Sequence, residues 1–472
     1  MHSARLDRST VPAYALSLLA LAALAAPSPV VAQPAPRDVT HADVTFSRDV
    51  MPILQRSCIH CHRDNGVAPM SLQSYEVARR YAGRIARRTA IRDRMGTMPP
   101  WYVEKDIGIQ HFKDDPSLSD EEVATIAAWV EAGAPEGDPA DMPPPLEFDD
   151  SGAWRLGEPD LVVSSEEFLV EGVAPDWWGD ITPIPTGLTE DRYVASVEVR
   201  EINDVPSEGT GRETVGGRYV IHHVVWSTLD LENPSDGVVT WPVHEVGRNP
   251  DIFDPQGGRL LKAGSHIVSS STHLHSNGVD TRARIEFGFR FHPVGYEPAY
   301  RPAPVVLGNG ADIDIPAGAK NRELHAYTVL QEHTKIVTFE PHLHAPGYRM
   351  CLEAIWGFTV ETLSCVGYDH NWVRGYAYEV DHEPLLPKGT VLHIIGYMDN
   401  SEDNRNVTDA RNWAGAGNRS VANMFIDLGM QLALTDEQFE QAMAERREKL
   451  SLGPNDHVIG CPLCSVIPEG GR

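Results

Sequence analysis

Residues 218–226 read Arg-Tyr-Val-Ile-His-His-Val-Val-Trp, residues 271–275 read Ser-Thr-His-Leu-His, and residues 340–344 read Glu-Pro-His-Leu-His. Side chains alternate across a strand, so at least one of His222 and His223 must face inward from this apolar run. The pairs His273/His275 and His342/His344 each place two imidazoles on one face, where two ring nitrogens can converge on one metal ion. Any one pair alone is equally a hydrogen-bonded core histidine or a surface pair. Three such arrangements in one chain call for metal chemistry.

Outward from these strands the pattern stays β-prone. From Trp154 onward, runs such as 193–199, 218–228, 282–291, 323–339, 349–355 and 390–397 are separated by Gly, Pro, Asn and Asp. Short strands with turn residues between them predict sandwiches. We expect two all-β domains, 154–308 and 309–472, with a seam at Gly308-Asn309-Gly310 and a charged, peripheral helix over 435–450. Upstream, residues 43–136 read as helical: 74–94 contains no Pro, and Ser119-Asp120-Glu121-Glu122 is a capping box ahead of a helix that Gly133 ends. Pro-rich stretches at 33–42 and 137–153 read as linkers.

Residues 1–32 carry Arg5 and Arg8, an apolar run from Tyr14 to Ala26 and the small-residue end Val30-Val31-Ala32, a signal peptide cleaved after Ala32. The apolar run is shorter than a membrane span requires, so we expect no membrane insertion after cleavage and a periplasmic or secreted location. The 472-residue length exceeds what one core supports. A net charge of −27, from 67 acidic against 40 basic residues, argues against nucleic-acid partners and anionic lipid surfaces.

Six cysteines remain. Cys58-Ile59-His60-Cys61-His62 has the Cys-x-x-Cys-His form that attaches c-type haem through two thioethers and ligates its iron through the histidine. A disulfide or a zinc knuckle is the alternative. The motif resembles class I cytochrome c, and Met98-Pro99-Pro100-Trp101 looks like that family's axial methionine loop. The resemblance implies a small all-α cytochrome domain over 43–136 holding one covalent haem c on Cys58, Cys61 and His62. It also implies Met98 as sixth ligand, ahead of Met95, with Met70 in the core and His60 facing solvent. Cys351 and Cys365 flank a predicted turn at Gly357-Phe358 and face each other across a hairpin. Cys461 and Cys464 form a local disulfide, half of a crossed pairing or a thiol metal site.

The order His-His, a second histidine strand, His-x-His, then methionine resembles the copper type II monooxygenases, the family of peptidylglycine α-hydroxylating and dopamine β-monooxygenases. The likeness runs from about residue 180 to 430. It includes Pro185-Thr-Gly-Leu-Thr-Glu190 and Leu386-Pro-Lys-Gly-Thr390. It implies two jelly-roll-like sandwiches, each with one of two copper ions. His222, His223 and His273 match the electron-accepting site, with His275 beside it or in place of His273. His342, His344 and Met424 match the oxygen-binding site, with Met398 competing for the methionine position. A soft thioether favours Cu(I), and three ligands leave a position open.

Glu340 and Leu428 stand where peptide-hydroxylating members carry an arginine and a tyrosine. A substrate carboxylate would be repelled by Glu340. The implied function is therefore an exported copper monooxygenase that hydroxylates a C–H bond of a small substrate other than a peptidylglycine. Its partners would be that substrate, O2 and a donor, ascorbate or a redox protein, with the chain's own haem delivering electrons. The competing reading is an electron-transfer or copper-binding protein that does not activate oxygen.

Overall fold

The computed structural model describes residues 44–64, 68, 70–148, 154–206, 215–245, 250–303, 305–310, 312–417, 422–453 and 455–464. The expected signal peptide and first linker lie outside the described residues.

Helices α1 (Met51–Ser57), α2 (Tyr75–Thr89) and α3 (Asp120–Glu131) occupy the N-terminal region, and Phe46, Leu54, Ile126 and Trp129 are buried among them. The capping box at Ser119 is the one read from the sequence, and Ser74 adds a second cap. Ser74 accepts a hydrogen bond from the Val77 amide, and Ser119 and Glu122 form a reciprocal capping box.

The small all-α cytochrome domain expected over 43–136 is nevertheless not formed. The described residues are mostly sheet, 35% strand against 15% helix, and the helices among them are few and short. Much of the stretch between α2 and α3 departs from the N-terminal core, and only Leu118 near its end returns to it. Strand β1 (Val103–Gly108) joins the edge of a C-terminal sheet, and Trp101, Val103, Ile109 and Phe112 are buried in that sheet's core. Aromatic and β-branched residues fit a half-buried pleated surface. The helix signals on either side said nothing about them.

The all-β part fits the expected sandwiches. In the first, strands β2 (Trp177–Gly179), β3 (Arg192–Asn203), β4 (Ile221–Leu229), β5 (His244–Glu245), β6 (His266–Leu274) and β7 (Thr281–Phe291) divide between two sheets. One has β3 paired with β7. In the other, β6 lies between β2 and β4, and β5 pairs with the far side of β4. Val197, Ile285, Phe287 and Phe289 from the first sheet pack with Val224, Trp226 and Ile267 from the second.

The second sandwich contains β8 (Arg322–Val329), β9 (Pro341–Leu343), β10 (Gly347–Trp356), β11 (Thr359–Gly367), β12 (Val391–Met398) and β13 (Phe425–Asp427). Its larger sheet runs β1-β11-β10-β12-β8, and a smaller one pairs β13 with β9 and with Leu307–Gly308. Arg301–Pro302 also pairs within the second half, so the change of sandwich falls between Phe291 and Arg301, ahead of the expected seam. The final helix, α4 (Asp436–Lys449), is less peripheral than its charge suggests: Phe439 and Met443 are buried with Leu434, Cys461 and Cys464.

Cys351 and Cys365 are directly opposed rungs of the β10–β11 hairpin and form a disulfide with Cα atoms 4.1 Å apart. The turn is Gly357-Phe358, with Gly357 at φ +59° where glycine fits best. Cys461 and Cys464 also form a disulfide, the local pairing among the alternatives above. The first bridge closes a 14-residue separation, for which chain entropy gives roughly 3 kcal/mol. Replacing both Cys351 and Cys365 with Ser is expected to lower the unfolding free energy by about that amount; urea unfolding of the variant beside the parent measures it.

Candidate metal centre

A regular β4 would send His222 and His223 to opposite faces. It does not, because the pairing with β6 slips by one residue here: His273 faces His223, but the next residue, Leu274, faces Ile221. His222 is the extra residue of a β-bulge, and a bulge turns two consecutive side chains toward the same side. Their rings lie 5.8 Å apart, and that of His273 is 4.8 Å from His222 and 5.3 Å from His223. One ring nitrogen from each of the three lies within 4.8 Å of the others.

The supports of His273 set which of its nitrogens is available. Asp176 Oδ2 takes its Nε2 at 3.2 Å, and the indole of Trp178, its cross-strand neighbour, stacks on the ring at 3.5 Å. Nδ1 is left buried without a hydrogen-bond partner, as is Nδ1 of His222. His275 donates from Nε2 to the Tyr219 carbonyl at 3.0 Å and is not part of the convergent set.

In the second sandwich, His342 faces Ile426 and Leu343 faces Phe425 across β9 and β13. Continuing that register by one residue brings His344 opposite Met424. By alternation, His342, His344 and Met424 then share one face of the pair. The two imidazoles are 5.4 Å apart. His344 donates from Nδ1 to the Ala422 carbonyl at 3.2 Å, which leaves its Nε2 available, while Nδ1 of His342 is buried and makes no hydrogen bond, with Glu245 as its ion-pair neighbour. Met398, the competing methionine, is fully buried in the second core between β8 and β10.

Two residues with no motif around them connect the clusters. Glu245, opposite His223 on β5, reaches His342 of the other sandwich, with Oε1 3.3 Å from Nδ1. His370, in the segment after β11, has its ring 6.1 Å from that of His222 and 6.2 Å from that of His344, and it donates to the Leu343 carbonyl. Sequence reasoning missed both, along with Asp176 and Trp178. Each is an isolated residue of a common type, and only pairing and packing give it a role. Near this centre, Glu340 is buried and its amide donates to Asp427 Oδ1 at 2.9 Å. Burial, with the Glu340 charge adding to it, raises the Asp427 carboxyl to about 7.

Burial and mutual repulsion hold the imidazoles neutral. The pKa falls to about 3 for His222, about 2 for His223 and about 4 for His273, in each case first because of burial. For His344 it falls to about 3, through burial and then His342 and His370. Neutral imidazoles with orphaned, inward nitrogens are the donor set a soft or borderline transition metal takes, so these residues fit copper.

In the haem motif, Cys58 is buried and Cys61 half-buried, and both are free thiols. The amides of Cys61 and His62 both bond to the Cys58 carbonyl in a tight turn. His62 donates from Nδ1 to the Met70 carbonyl at 3.2 Å, which leaves Nε2 for a ligand. Burial raises the Cys58 thiol to about 12, so it is an uncharged thiol at neutral pH. These three residues fit a covalent haem. Met98 lines a cavity with Thr89, Thr97, Trp101 and Leu118.

No family model matches the chain, and no curated protein does. Among solved structures, "Structure of infectious bursal disease virus Gx strain" is similar over 66% of this chain and 92% of its own, at 8% identity and a TM-score of 0.14. A likeness that low carries no argument. Among the described residues, no helix is long and apolar enough to cross a membrane.

The neutral imidazoles make acid sensitivity a specific expectation. In the unfolded chain these histidines titrate near 6.5; in the folded, metal-free chain His222, His223 and His344 titrate far below. Below pH 6.5 the unfolded state therefore binds protons that the folded state refuses. Stability must fall as pH drops from 6.5 toward 4, each such histidine adding a slope approaching about 1.4 kcal/mol per pH unit. Denaturant titrations of the metal-free protein at pH 7 and pH 5 measure the slope, and replacing His344 with Gln should reduce it.

Proposed function

We propose that this chain is an exported copper-dependent monooxygenase that hydroxylates a C–H bond of a small substrate with O2, drawing electrons from a c-type haem bound to the same polypeptide. The observation that carries the reading is the convergence of His222, His223 and His273, with the His342 and His344 rings 5.4 Å apart in the other sandwich; the register of β9 and β13, carried on by one residue, supports Met424 as the third donor there. The disulfides Cys351–Cys365 and Cys461–Cys464 support an oxidising, extracytoplasmic compartment.

Copper bound at two such sites supplies one-electron transfer at one and dioxygen activation at the other. The chain's residues divide the work accordingly. His222, His223 and His273 form the all-imidazole set, with Asp176 and Trp178 holding the His273 ring. His342, His344 and Met424 form the set with a thioether, and their number leaves a position for a small ligand. Glu245 of the opposite sandwich stands 3.3 Å from His342 Nδ1. The buried Glu340 disfavours an anionic substrate at this end of β9, so the substrate is a neutral or cationic small molecule rather than a peptide carboxylate. Cys58, Cys61 and His62 would hold the haem.

Two measurements on the full chain test this. Metal analysis with EPR is expected to give two copper ions per haem. Oxygen uptake should depend on a small aliphatic or benzylic substrate and fall to background in Met424→Ala and in His342→Ala, with the haem spectrum unchanged. Full copper loading without substrate-dependent oxygen uptake across such a screen would favour the copper-binding or electron-transfer alternative. Absence of copper would falsify both.

A further inference from the structure

A second convergence of ligand types lies on the surface, away from both donor sets. Between β1 and α3 the chain passes along the segment that follows Tyr376, making a short antiparallel ladder. Glu379 N donates to His111 O at 3.0 Å, Phe112 bridges Tyr378, and Lys113 N donates to Ala377 O at 2.8 Å. That register makes His111 and Glu379 a cross-strand pair, and directly opposed residues project to the same face. The chain then turns back, with the His382 amide bonded to the Glu379 carbonyl at 3.0 Å. This returns His382 over His111: the two rings stack at 3.7 Å and 15°. His111 Nδ1 is 3.3 Å from Glu379 Oε2, and one ligating atom from each of the three residues lies within 4.8 Å of the others.

We propose that His111, Glu379 and His382 are a surface site for one borderline divalent metal ion, of which zinc is the type. Two imidazoles and a carboxylate are a common zinc set, and tetrahedral ligands on zinc stand about 3.4 Å from one another. Modest rotation of exposed side chains covers the difference. The His111 and Glu379 side chains are 56% and 49% exposed, so they have that freedom and water can take the remaining position. Backbone pairing, not chance side-chain drift, brings the three together from positions 268 residues apart along the chain for His111 and Glu379. An ion there pins the strap after β1 to the second sandwich, and with it the link between the haem-motif region and the copper-type centre. The site stands whether or not the central clusters bind copper.

The test titrates zinc into the metal-stripped full-length protein by calorimetry and elemental analysis, beside His382→Gln, Glu379→Gln and, as a marker for the central site, His273→Gln. All the surface substitutions are at exposed or half-exposed positions, and circular dichroism confirms that each variant is folded. The expected result is loss of one zinc equivalent in His382→Gln and weakened binding in Glu379→Gln, with the equivalent that His273→Gln removes still present in both. Zinc should also protect the strap after β1 from hydrogen exchange in the parent but not in His382→Gln. Identical zinc stoichiometry and affinity in parent, His382→Gln and Glu379→Gln would overturn the proposal and leave an ion pair with a stacked ring.

Discussion

A single extra residue in β4 governs the centre. With regular pairing against β6, the alternation of side chains would bury one of His222 and His223 in the first core and send the other outward. One residue of slip at His273 brings both rings to one side. The bulge has a cost, since the unpaired residue interrupts the ladder, and it leaves buried ring nitrogens without partners. Unpaired buried polar atoms cost roughly 1–3 kcal/mol each. A chain that keeps the bulge, the buried imidazoles and a flanking Trp178 stack retains a destabilising arrangement that a bound metal would offset.

The two sandwiches meet over this arrangement rather than beside it. Glu245 crosses from the first to His342 of the second, and His370 stands between His222 and His344. Elsewhere along the junction, Lys335 of the second half is held by Asp254 of the first at 2.7 Å and by Glu383 at 3.5 Å. Burial works against the Lys335 charge, and the two carboxylates outweigh it and raise its pKa. Removing one partner would strand a buried charge, which is far more damaging than losing a surface pair. Such a junction resists sliding, so the separation between the donor sets is a property of the packed interface.

Legibility in the sequence followed the range of the interaction. The cap at Ser119, the Gly357-Phe358 turn and the Cys351–Cys365 bridge rest on residues a few positions apart or mirrored about a turn, and the structure has them. The β character of the chain after Trp154 was equally readable from alternation and turn residues. The all-α domain was not correct, because helix signals at 74–94 and 119–133 were extended across Trp101-Tyr102-Val103, whose partners are β11 and a core formed more than 200 residues later. Histidine spacing identified the clusters. It could not show that adjacent histidines would face one way, nor that His275 is engaged by the Tyr219 carbonyl. Glu245, His370 and the His111, Glu379 and His382 group carry no spacing signal at all. They exist only once distant strands are paired.

The same strap that overturned the helical domain gives the N-terminal region a fixed relation to the rest. Strand β1 is an edge strand of the large sheet of the second sandwich, and the residues before and after it are buried in that sandwich's core. Arg349 on β10 pairs with Glu104 on β1 through two hydrogen bonds, so the attachment has both an apolar and an ionic part. A freely tethered segment would range within the reach of its linker. Here α2 and α3 are joined through a strand of the second sandwich's large sheet, and the Cys58-to-His62 turn is carried on the core those helices form. The position of that turn relative to the histidine clusters is therefore set mainly by sheet pairing and the Arg349–Glu104 contact rather than by a flexible linker.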